Sequence, residues 1–521
     1  MMYWPYWGRF VRASHFEDAD LDTRKRPPYE LVDRICQHLC PRCQSPDSFP
    51  PADTTETRQA KTALARLSRT CKTMRVIAQP FVFHYYATGN FPEIFTADWG
   101  GYQYDGDDWP ERVGRLPRFL RSIIKRPDLA KCVQALQLVR SSAVEGCVPW
   151  RKNGAGPSAV RQASLDLGVV AYNPFHPDFQ HWTRDRPDPR PTKNKPSYED
   201  VHHTLEHLAI LLCPNVSVLF LVGDFSPSFY GRLLRHSNRT VPALRTISLL
   251  SESRKYHYAH TWTLLALAPN VETIYAADLQ DCELPYRSWT PAFNGTFSSV
   301  RKVVAHNFGP IALATFVQSC PQLREFQYAH TADFPLGPPL TYTDIVEALK
   351  PVRKSLRRLA MLIQTEDDFL DEIENALSHD PITPFEYLET LEELLIPQDA
   401  IYGRSDNEQR IPGGFASLLP RSIRNLNITY CDGGDILTAD LEALARDAPR
   451  AFPNLRSVTI GLREGVSYPP FDDEDGMVTM VPEELERAFA QVGVTLGLSE
   501  ESFLENEKRN IPGLVVDGVA T

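Results

Sequence analysis

A short apolar pattern recurs ten times between residues 133 and 460, and it constrains the fold of this 521-residue chain more than any other feature. In each copy an apolar residue is followed by two variable residues, a second apolar residue, one variable residue and a third apolar residue. The copies are Val133-Leu136-Leu138, Val216-Leu219-Leu221, Leu244-Ile247-Leu249, Val271-Ile274-Ala276, Val300-Val303-Ala305, Leu323-Phe326-Tyr328, Leu356-Leu359-Met361, Leu391-Leu394-Ile396, Ile423-Leu426-Ile428 and Leu455-Val458-Ile460. Because side chains alternate along a strand, the second and third apolar residues of each copy face one side. Such repetition predicts a stack of similar units.

The segments between the copies predict breaks and helices. Five copies are introduced by a proline-containing segment that ends one element before the next begins: Cys213-Pro214-Asn215, Val241-Pro242-Ala243, Ala268-Pro269-Asn270, Cys320-Pro321-Gln322 and Phe452-Pro453-Asn454. Apolar stretches predict helices at 201–212, 261–267, 311–318, 342–349, 369–377 and 438–445. Strand followed by helix, repeated, predicts an α/β solenoid with a parallel sheet on its concave side and helices outside.

The array is expected to occupy residues 87–465, with one long interruption. Residues 141–200 are rich in Gly, Pro and charge, and this composition predicts a partly disordered insertion. Residues 466–521 predict a partly disordered tail with a helix at 482–492. Residues 1–25 show no clean period and stay unassigned.

The repeated pattern resembles the leucine-rich repeat family. The resemblance rests on the repetition over most of the chain rather than on any single copy. It implies a horseshoe whose concave parallel sheet binds other proteins.

Residues 26–86 predict a separate all-α unit. A first helix begins near Pro28 and places Leu31, Val32, Ile35 and Leu39 on one face. Residues 41–60 predict a polar inserted loop. A second amphipathic helix follows, with apolar or small residues at Leu64, Leu67, Cys71 and Met74, and Ile77 and the segment 80–83 close the unit.

This unit resembles the F-box motif. Its first half matches at Pro28, Glu30, Leu31, Ile35 and Leu39, and its second half at Leu67, Cys71, Lys72, Arg75, Ile77, Pro80 and Phe83. Pro27 stands where the family has Leu, and the linker between the halves is longer than usual. The resemblance implies adaptor contacts through Pro28, Leu31, Val32, Ile35, Leu39, Leu67, Cys71, Met74, Ile77, Pro80 and Phe83.

That resemblance further implies a substrate-recognition subunit of an SCF-type ubiquitin ligase. The partners would be a Skp-type adaptor, a cullin scaffold and a protein substrate held on the array. The chain itself would be non-catalytic, and we find no nucleophile elbow, phosphate loop or dinucleotide fingerprint. The alternative is a repeat scaffold independent of ubiquitination, in which the helical unit only caps the array.

A recurrent arginine suggests where a substrate would bind. The residue after the first apolar position is arginine in six copies, and two more cations follow one residue on; the set is Arg245, Arg301, Lys302, Arg324, Arg357, Arg358, Arg424 and Arg456. Stacked copies would align these arginines in a row, which could bind a carboxylate-rich or phosphorylated segment. The alternative is a solvated row paired with Glu or Asp of neighbouring copies.

Cysteine and histidine spacing predicts no metal and no cofactor. Cys36, Cys40 and Cys43 have a spacing also found in iron–sulfur enzymes, and Cys40 and Cys43 with Cys71 could supply three zinc ligands. A second paired half-site is missing, however. The set His202, His203 and His207 lacks the acidic residue of a metalloprotease helix.

Charge and cysteine usage limit the partners and the compartment. The formal net charge of −11 argues against nucleic-acid binding. The ten cysteines are scattered, several within apolar runs, which is typical of a reducing compartment. With no apolar run long enough to span a bilayer and no signal-like start, we expect a cytoplasmic or nuclear protein without membrane contact.

Overall fold

The computed structural model describes residues 29–44, 46, 54–88, 115–139, 155–167, 198–222, 240–250, 256–257, 264–277, 279–280, 297–331, 340–364, 384–402, 415–431, 435–462 and 483–499. Among these residues, twelve strands form one open, all-parallel sheet whose strand order follows the chain. The strands are β1 Tyr85–Ala87, β2 Ala135–Val139, β3 Val218–Val222, β4 Thr246–Leu250, β5 Thr273–Ala277, β6 Lys302–His306, β7 Glu325–Thr331, β8 Arg358–Gln364, β9 Glu393–Pro397, β10 Asn425–Cys431, β11 Ser457–Leu462 and β12 Thr495–Ser499. Two short strands, Tyr256–His257 and Leu279–Gln280, pair beside it.

Helices precede and separate the strands. The α-helices with defined bounds are α1 Tyr29–Leu39, α2 Pro41–Gln44, α3 Thr55–Thr70, α4 Lys72–His84, α5 Arg115–Lys125, α6 Pro127–Ala130, α7 Ala155–Asp166, α8 Tyr198–Leu212, α9 Pro310–Gln318, α10 Tyr342–Ala348, α11 Gln398–Tyr402, α12 Phe415–Leu418, α13 Asp435–Ala451 and α14 Glu483–Gln491. Residues 264–267 are also helical. The predicted helices at 201–212, 311–318, 342–349 and 438–445 are confirmed, and each predicted end lies within six residues of the observed one. The one predicted at 369–377 lies outside the described residues.

In all ten copies of the apolar pattern the second and third apolar residues lie on a strand of the sheet, and the first lies two residues before that strand. Every residue of the ten copies is at most 7 % exposed, and all belong to one continuous core. The pairing register stacks equivalent positions, so that Leu136 is aligned with Leu219, Leu219 with Ile247 and Ile247 with Ile274. A shift of one residue would turn these side chains to the other face, so the pattern itself fixes the register.

The helices cover the face of the sheet that carries the pattern. Leu205 and Leu208 of α8 and Leu313 and Phe316 of α9 are buried in the same core as the strand residues. α10 begins with a capping box, in which the Thr341 hydroxyl and the Asp344 carboxylate accept from each other's backbone N–H. The sheet and the helices that cover it therefore form an α/β solenoid, in which helices such as α8 and α9 bury their apolar sides against the strands.

The sheet extends beyond the predicted array at both ends. β1 aligns Tyr85 with Ala135, which places Phe83 and Tyr86 where the pattern has Val133 and Leu136. β12 aligns Thr495 with Ser457, which places Gly493, at φ 75°, where the pattern has Leu455. The tail therefore contributes a strand as well as the expected helix near 482–492, and the boundaries at 87 and 465 are too narrow.

Part of the predicted insertion is ordered and packed. α7 lies within 141–200, and its Val160 and Ala163, with Leu167 just beyond it, are buried. The first and last of these join the main core. An apolar residue every three or four positions suffices to dock a helix, even in a segment rich in Gly and Pro. Residues 168–197 lie outside the described residues.

The amino-terminal unit differs from the predicted helical pair. α3 begins at Thr55, inside the expected loop, with the Thr54 hydroxyl accepting from the Thr57 N–H at 3.2 Å. The expected second helix is two helices, because Cys71 is extended (φ −155°, ψ 172°) and its Sγ accepts from the Met74 N–H to start α4. α1, α3 and α4 enclose a small core that is separate from that of the array.

Candidate functional site

Helix α1 has apolar residues on two sides, and only one side is covered. Val32 is 4 % exposed and Cys36 is fully buried in the core of the helical unit. Leu31 and Ile35, one turn apart, are 50 % and 45 % exposed, and Tyr29 is 62 % exposed. Leu31 and Ile35 lie on one face of the helix and form an exposed apolar pair, which we call the α1 outer face, whereas Tyr29 lies at the start of the helix on the side of Val32 and Cys36.

The other predicted adaptor residues lie in different environments. Leu39, Leu67, Met74 and Ile77 are half-buried against the core of the helical unit. Cys71 is exposed and Pro80 is half-buried within α4. Val32 is a correction to the expected set, because its side chain faces inward and supports the unit. Pro28 lies outside the described residues.

Phe83 and its neighbourhood join the helical unit to the array. Phe83 stacks on Phe119 of α5 with ring centroids 6.3 Å apart, and Phe119 stacks on Tyr86 at 3.9 Å. Phe83 packs against the main core rather than that of the helical unit. Its position therefore suits a residue of the first repeat.

Two polar contacts add to this junction. Arg42 of α2 is 6 % exposed and donates from Nη2 to the Ser217 hydroxyl at 3.2 Å. Lys61 of α3 places its ammonium 4.1 Å from the centre of the Tyr85 ring in β1, a cation–π contact. The first strand follows α4 without a linker, so the helical unit is held directly against the start of the sheet.

The six predicted arginines do lie in a row, at the edge where the strands begin. Each residue of the row donates its backbone N–H to the carbonyl of the preceding one at 2.7–2.8 Å. We call this set the edge row; it reads Ser217, Arg245, Glu272, Arg301, Arg324, Arg357, Glu392, Arg424 and Arg456. The alignment follows from the register of the parallel strands.

Two glutamates of the edge row, not singled out in the sequence, form ion pairs with three of the six arginines. Arg245 Nε lies 3.4 Å from Glu272, and Glu392 lies between Arg357 and Arg424, at 3.8 and 3.4 Å. Comparing the same position across all ten copies would have revealed both glutamates. Arg301 instead donates to the carbonyls of Ser298 and Gln322.

The two additional cations lie one residue further along, within the strands. Lys302 pairs with Glu325 at 3.6 Å, and Arg358 pairs with Glu393 at 3.6 Å. Among the described residues, Arg301, Arg324 and Arg456 are the members of the predicted cationic set without a carboxylate within 4.0 Å. The free positive charge of the row is therefore concentrated at the adjacent pair Arg301 and Arg324.

The face of the sheet opposite the helices is mostly closed. The central residue of each strand on this face is at most 8 % exposed from β2 to β9: Gln137, Phe220, Ser248, Tyr275, Val304, Gln327, Ala360 and Leu395. Asn427 and Thr459 in β10 and β11 are more exposed. A ligand of this face would thus meet accessible side chains towards the carboxyl-terminal end.

Three potential metal ligands meet at the end of α4. Cys40 follows α1, Cys43 lies in α2 and His84 is the last residue of α4; their ligand atoms all lie within 4.8 Å of one another. His84 Nδ1 is 3.7 Å from Cys40 Sγ and 3.4 Å from Cys43 Sγ. Cys36 and Cys71, the other cysteines considered from the sequence, are not part of this cluster, and His84 was not anticipated because it lies 41 residues after Cys43.

Burial shifts the pKa values of Cys43 and His84 in this cluster. Burial, with a smaller effect of nearby Cys40, raises the pKa of Cys43 to about 12. Burial and then the positive charge of Arg42 lower the pKa of His84. At neutral pH Cys43 is therefore a thiol and His84 a neutral imidazole.

The histidines noted in the sequence do not form a comparable cluster. His207 of α8 is 2 % exposed, whereas the side chains of His202 and His203 lie outside the described residues. Among the groups of three or more ligand-type side chains that the described part of the chain contains, only the Cys40, Cys43 and His84 cluster is close enough for one ion.

A comparison with protein-family models and with curated proteins found no match for this chain. Within the described residues, no helix combines the length and the apolar composition that a bilayer span requires. The α1 outer face, the edge row and the junction between the helical unit and the array are the features of the molecule that bear on its function.

Proposed function

We propose that this chain is the substrate-recognition subunit of an SCF-type ubiquitin ligase, in which an F-box-type helical unit precedes a leucine-rich-repeat-type array. The helical unit would dock a Skp-type adaptor, the adaptor would join the cullin, and a separate enzyme would transfer ubiquitin. This chain would supply binding surfaces and no catalytic group.

The α1 outer face is the observation that carries the proposal. If the helical unit were only a cap, its apolar residues would be expected to lie against the array. Leu31 and Ile35 instead point to solvent, while Val32 and Cys36 on the neighbouring side of the same helix are packed in the core of the helical unit. An exposed pair of large aliphatic residues on one helix face is a typical anchor for a protein partner.

The arginines of the edge row favour an acidic partner for the array. Arg301 and Arg324 are neighbours across the sheet edge and have no carboxylate partner among the described residues. Arg301 donates to backbone carbonyls through Nη1 only, so its Nε and Nη2 and the guanidinium of Arg324 can make forked contacts to a carboxylate or phosphate. The closed middle of the opposite sheet face makes this edge the more accessible polar surface of the array.

The alternative is a scaffold that never joins a ligase. It is favoured by the junction itself, since Phe83, Arg42 and Lys61 all contact the array and a terminal cap needs such contacts. Both roles can be served by one unit, and only adaptor binding separates them.

Direct binding of purified Skp-type adaptor to the full chain tests the proposal. The wild type should bind, and Leu31→Asp/Ile35→Asp should weaken binding at least about tenfold, since removal of two interface anchors costs more than about 1.4 kcal/mol. Leu165→Asp/Ile311→Asp is the matched control, because these aliphatic residues of the array are 52 % and 62 % exposed. A wild type that fails to bind adaptor would leave the scaffold as the function.

A further inference from the structure

The cluster of Cys40, Cys43 and His84 has the geometry of a metal site. A tetrahedral Zn²⁺ with Zn–S of about 2.3 Å and Zn–N of about 2.0–2.1 Å holds its sulfur and nitrogen ligands about 3.6 Å apart. The two sulfur–nitrogen distances here, 3.7 and 3.4 Å, lie on either side of that value. An ion could therefore enter with shifts of a few tenths of an ångström.

The kinds and spacing of the ligands favour zinc. Cys40 and Cys43 form a Cys-x2-Cys half-site, and imidazole with thiolate is the ligand combination that zinc prefers. Two thiolates cancel the charge of Zn²⁺, so the ion can occupy a half-buried position. Cys43 and His84 are half-buried, which leaves a path for the ion, while Cys40 is buried.

We propose that Cys40, Cys43 and His84 bind one Zn²⁺ ion, with water as the fourth ligand. Each thiol releases its proton to solvent as its sulfur binds, and His84 binds through the Nδ1 lone pair with its proton on Nε2. Binding therefore releases two protons. The expectation of a metal-free chain is revised at this point, because the sequence alone could not bring His84 to the cysteine pair.

The position of the ion gives it a structural role. Cys40 and Cys43 lie at the α1–α2 corner, and His84 is followed directly by β1. The His84 carbonyl also accepts the Gln134 N–H at 2.9 Å, which ties it to the neighbouring strand. Zinc would thus join the helical unit to the first two strands and fix the direction in which the α1 outer face points. This role is independent of whether the partner is an adaptor.

A metal-free arrangement of the same residues is the competing explanation. The Cys43 thiol can donate to Nδ1, and the Cys40 thiol lies 3.8 Å from the Phe81 carbonyl, a long hydrogen bond. A disulfide between Cys40 and Cys43 is a second competitor. The test must therefore distinguish metal, thiol hydrogen bonds and a disulfide.

Metal analysis of the full chain, purified under reducing conditions without chelator, makes this distinction. The wild type should carry one zinc per chain, and after chelation it should bind Co²⁺ with the thiolate charge-transfer and tetrahedral visible absorption of a cysteine-rich site. Cys43→Ser and His84→Gln should each lower zinc affinity by at least about tenfold, as loss of a ligand exceeds the usual cost of losing an outer-shell partner. Cys71→Ser, which removes an exposed thiol of the same helical unit, should keep the metal.

The proposal is overturned by a reduced wild type that contains no zinc and shows no cobalt–thiolate absorption. It is equally overturned if Cys43→Ser retains the metal, or if Cys40 and Cys43 are recovered as a disulfide that forms again in preference to zinc binding. Circular dichroism of each variant identifies one that has not folded. In that case the cobalt spectrum of the wild type decides alone, because the charge-transfer band itself reports thiolate coordination.

Discussion

The guanidinium of Arg424 lies 3.4 Å from the carboxylate of Glu392, and the backbone N–H of Arg424 also donates to the Glu392 carbonyl at 2.7 Å. The same carboxylate lies 3.8 Å from Arg357 on its other side. One glutamate thus pairs with two arginines of neighbouring repeats and offsets one of their two charges. This arrangement leaves Arg301 and Arg324 as the part of the edge row with the most available positive charge.

Replacing Glu392 by glutamine should cost little stability. The two arginines that it contacts are 43 % and 60 % exposed, and exposed ion pairs contribute about 0–1 kcal/mol each. We expect a decrease in unfolding free energy of at most about 1 kcal/mol, and the decrease should shrink in high salt. Urea titration at two salt concentrations measures this; a larger, salt-independent loss would show that Glu392 acts through packing.

Removing the two adjacent arginines that have no carboxylate partner should weaken the binding of acidic ligands. In the full chain, Arg301→Ala/Arg324→Ala should lower affinity for a glutamate-rich peptide at least about fivefold, since each lost charged contact costs about 1 kcal/mol or more. Arg353→Ala/Arg421→Ala removes two cations outside the edge row and should leave affinity nearly unchanged. Equal losses in the two double variants would mean that the peptide responds only to overall charge.

The sequence predicts the middle of the array and fails at its ends for a physical reason. Strand residues such as Leu219 and Ile247 are covered by repeats on both sides, so the corresponding positions are apolar in every copy and the sequence reveals them. At the ends only one neighbour is present. Tyr86 and Thr88 stand at the second and third pattern positions of β1, and Gly493 replaces the first apolar residue of β12, so the pattern weakens where burial does.

The candidate site could be predicted only where its residues follow the repeat. Arg301 and Arg324 are brought together by strand register, which a repeated pattern encodes. The approach of His84 to Cys43 depends on how α4 folds back along α1 and α2, and no local spacing encodes that path. The outward direction of Leu31, in contrast to Val32, likewise depends on which side α3 and α4 cover.

A charge introduced on the buried side of α1 should lower stability far more than one introduced on the α1 outer face. Val32→Asp buries a carboxylate in the core of the helical unit and should unfold that unit, because an unpaired buried charge costs several kcal/mol. Leu31→Asp places the charge in water and should change stability by about 0.5 kcal/mol or less. Thermal unfolding and limited proteolysis of the full chain provide the measurement. A strong loss of stability in Leu31→Asp would show that the α1 outer face is covered in the free protein.

The free energy of unfolding should decrease in alkaline solution, because the buried Cys320 thiol and the half-buried Tyr387 hydroxyl keep their protons in the folded chain. Burial raises the pKa of Cys320 from 9.0 to about 12, and burial with the Glu347 charge raises the pKa of Tyr387, whose hydroxyl donates to the Val346 carbonyl. Above about pH 9 the unfolded chain loses the Cys320 proton while the folded chain keeps it, so rising pH favours unfolding until about pH 12.

The contribution of Cys320 to this pH dependence can be isolated by Cys320→Ala. The variant should be less stable at pH 8, yet its unfolding free energy should fall less steeply between about pH 9 and 11 than that of the wild type. Urea titration at several pH values measures both quantities. Identical slopes would mean that the Cys320 thiol ionises as easily in the folded chain as in the unfolded one.

Helix α14 should act as the cover of the last strands. Phe489 is fully buried and Leu485 is 3 % exposed, and both belong to the core that also contains Val458 and Ile460 of β11. In a repeat array each unit is stabilised mainly by its neighbours, so loss of packing at one end is felt locally. Phe489→Ala should remove about 3–5 kcal/mol of packing from this end of the array. We expect faster amide hydrogen exchange in β12 and β11 with unchanged exchange in β3 to β6.

Arg487→Ala, on the exposed side of the same helix, should leave exchange as in the wild type. Uniformly faster exchange along the whole sheet would instead show that the array unfolds as one cooperative unit.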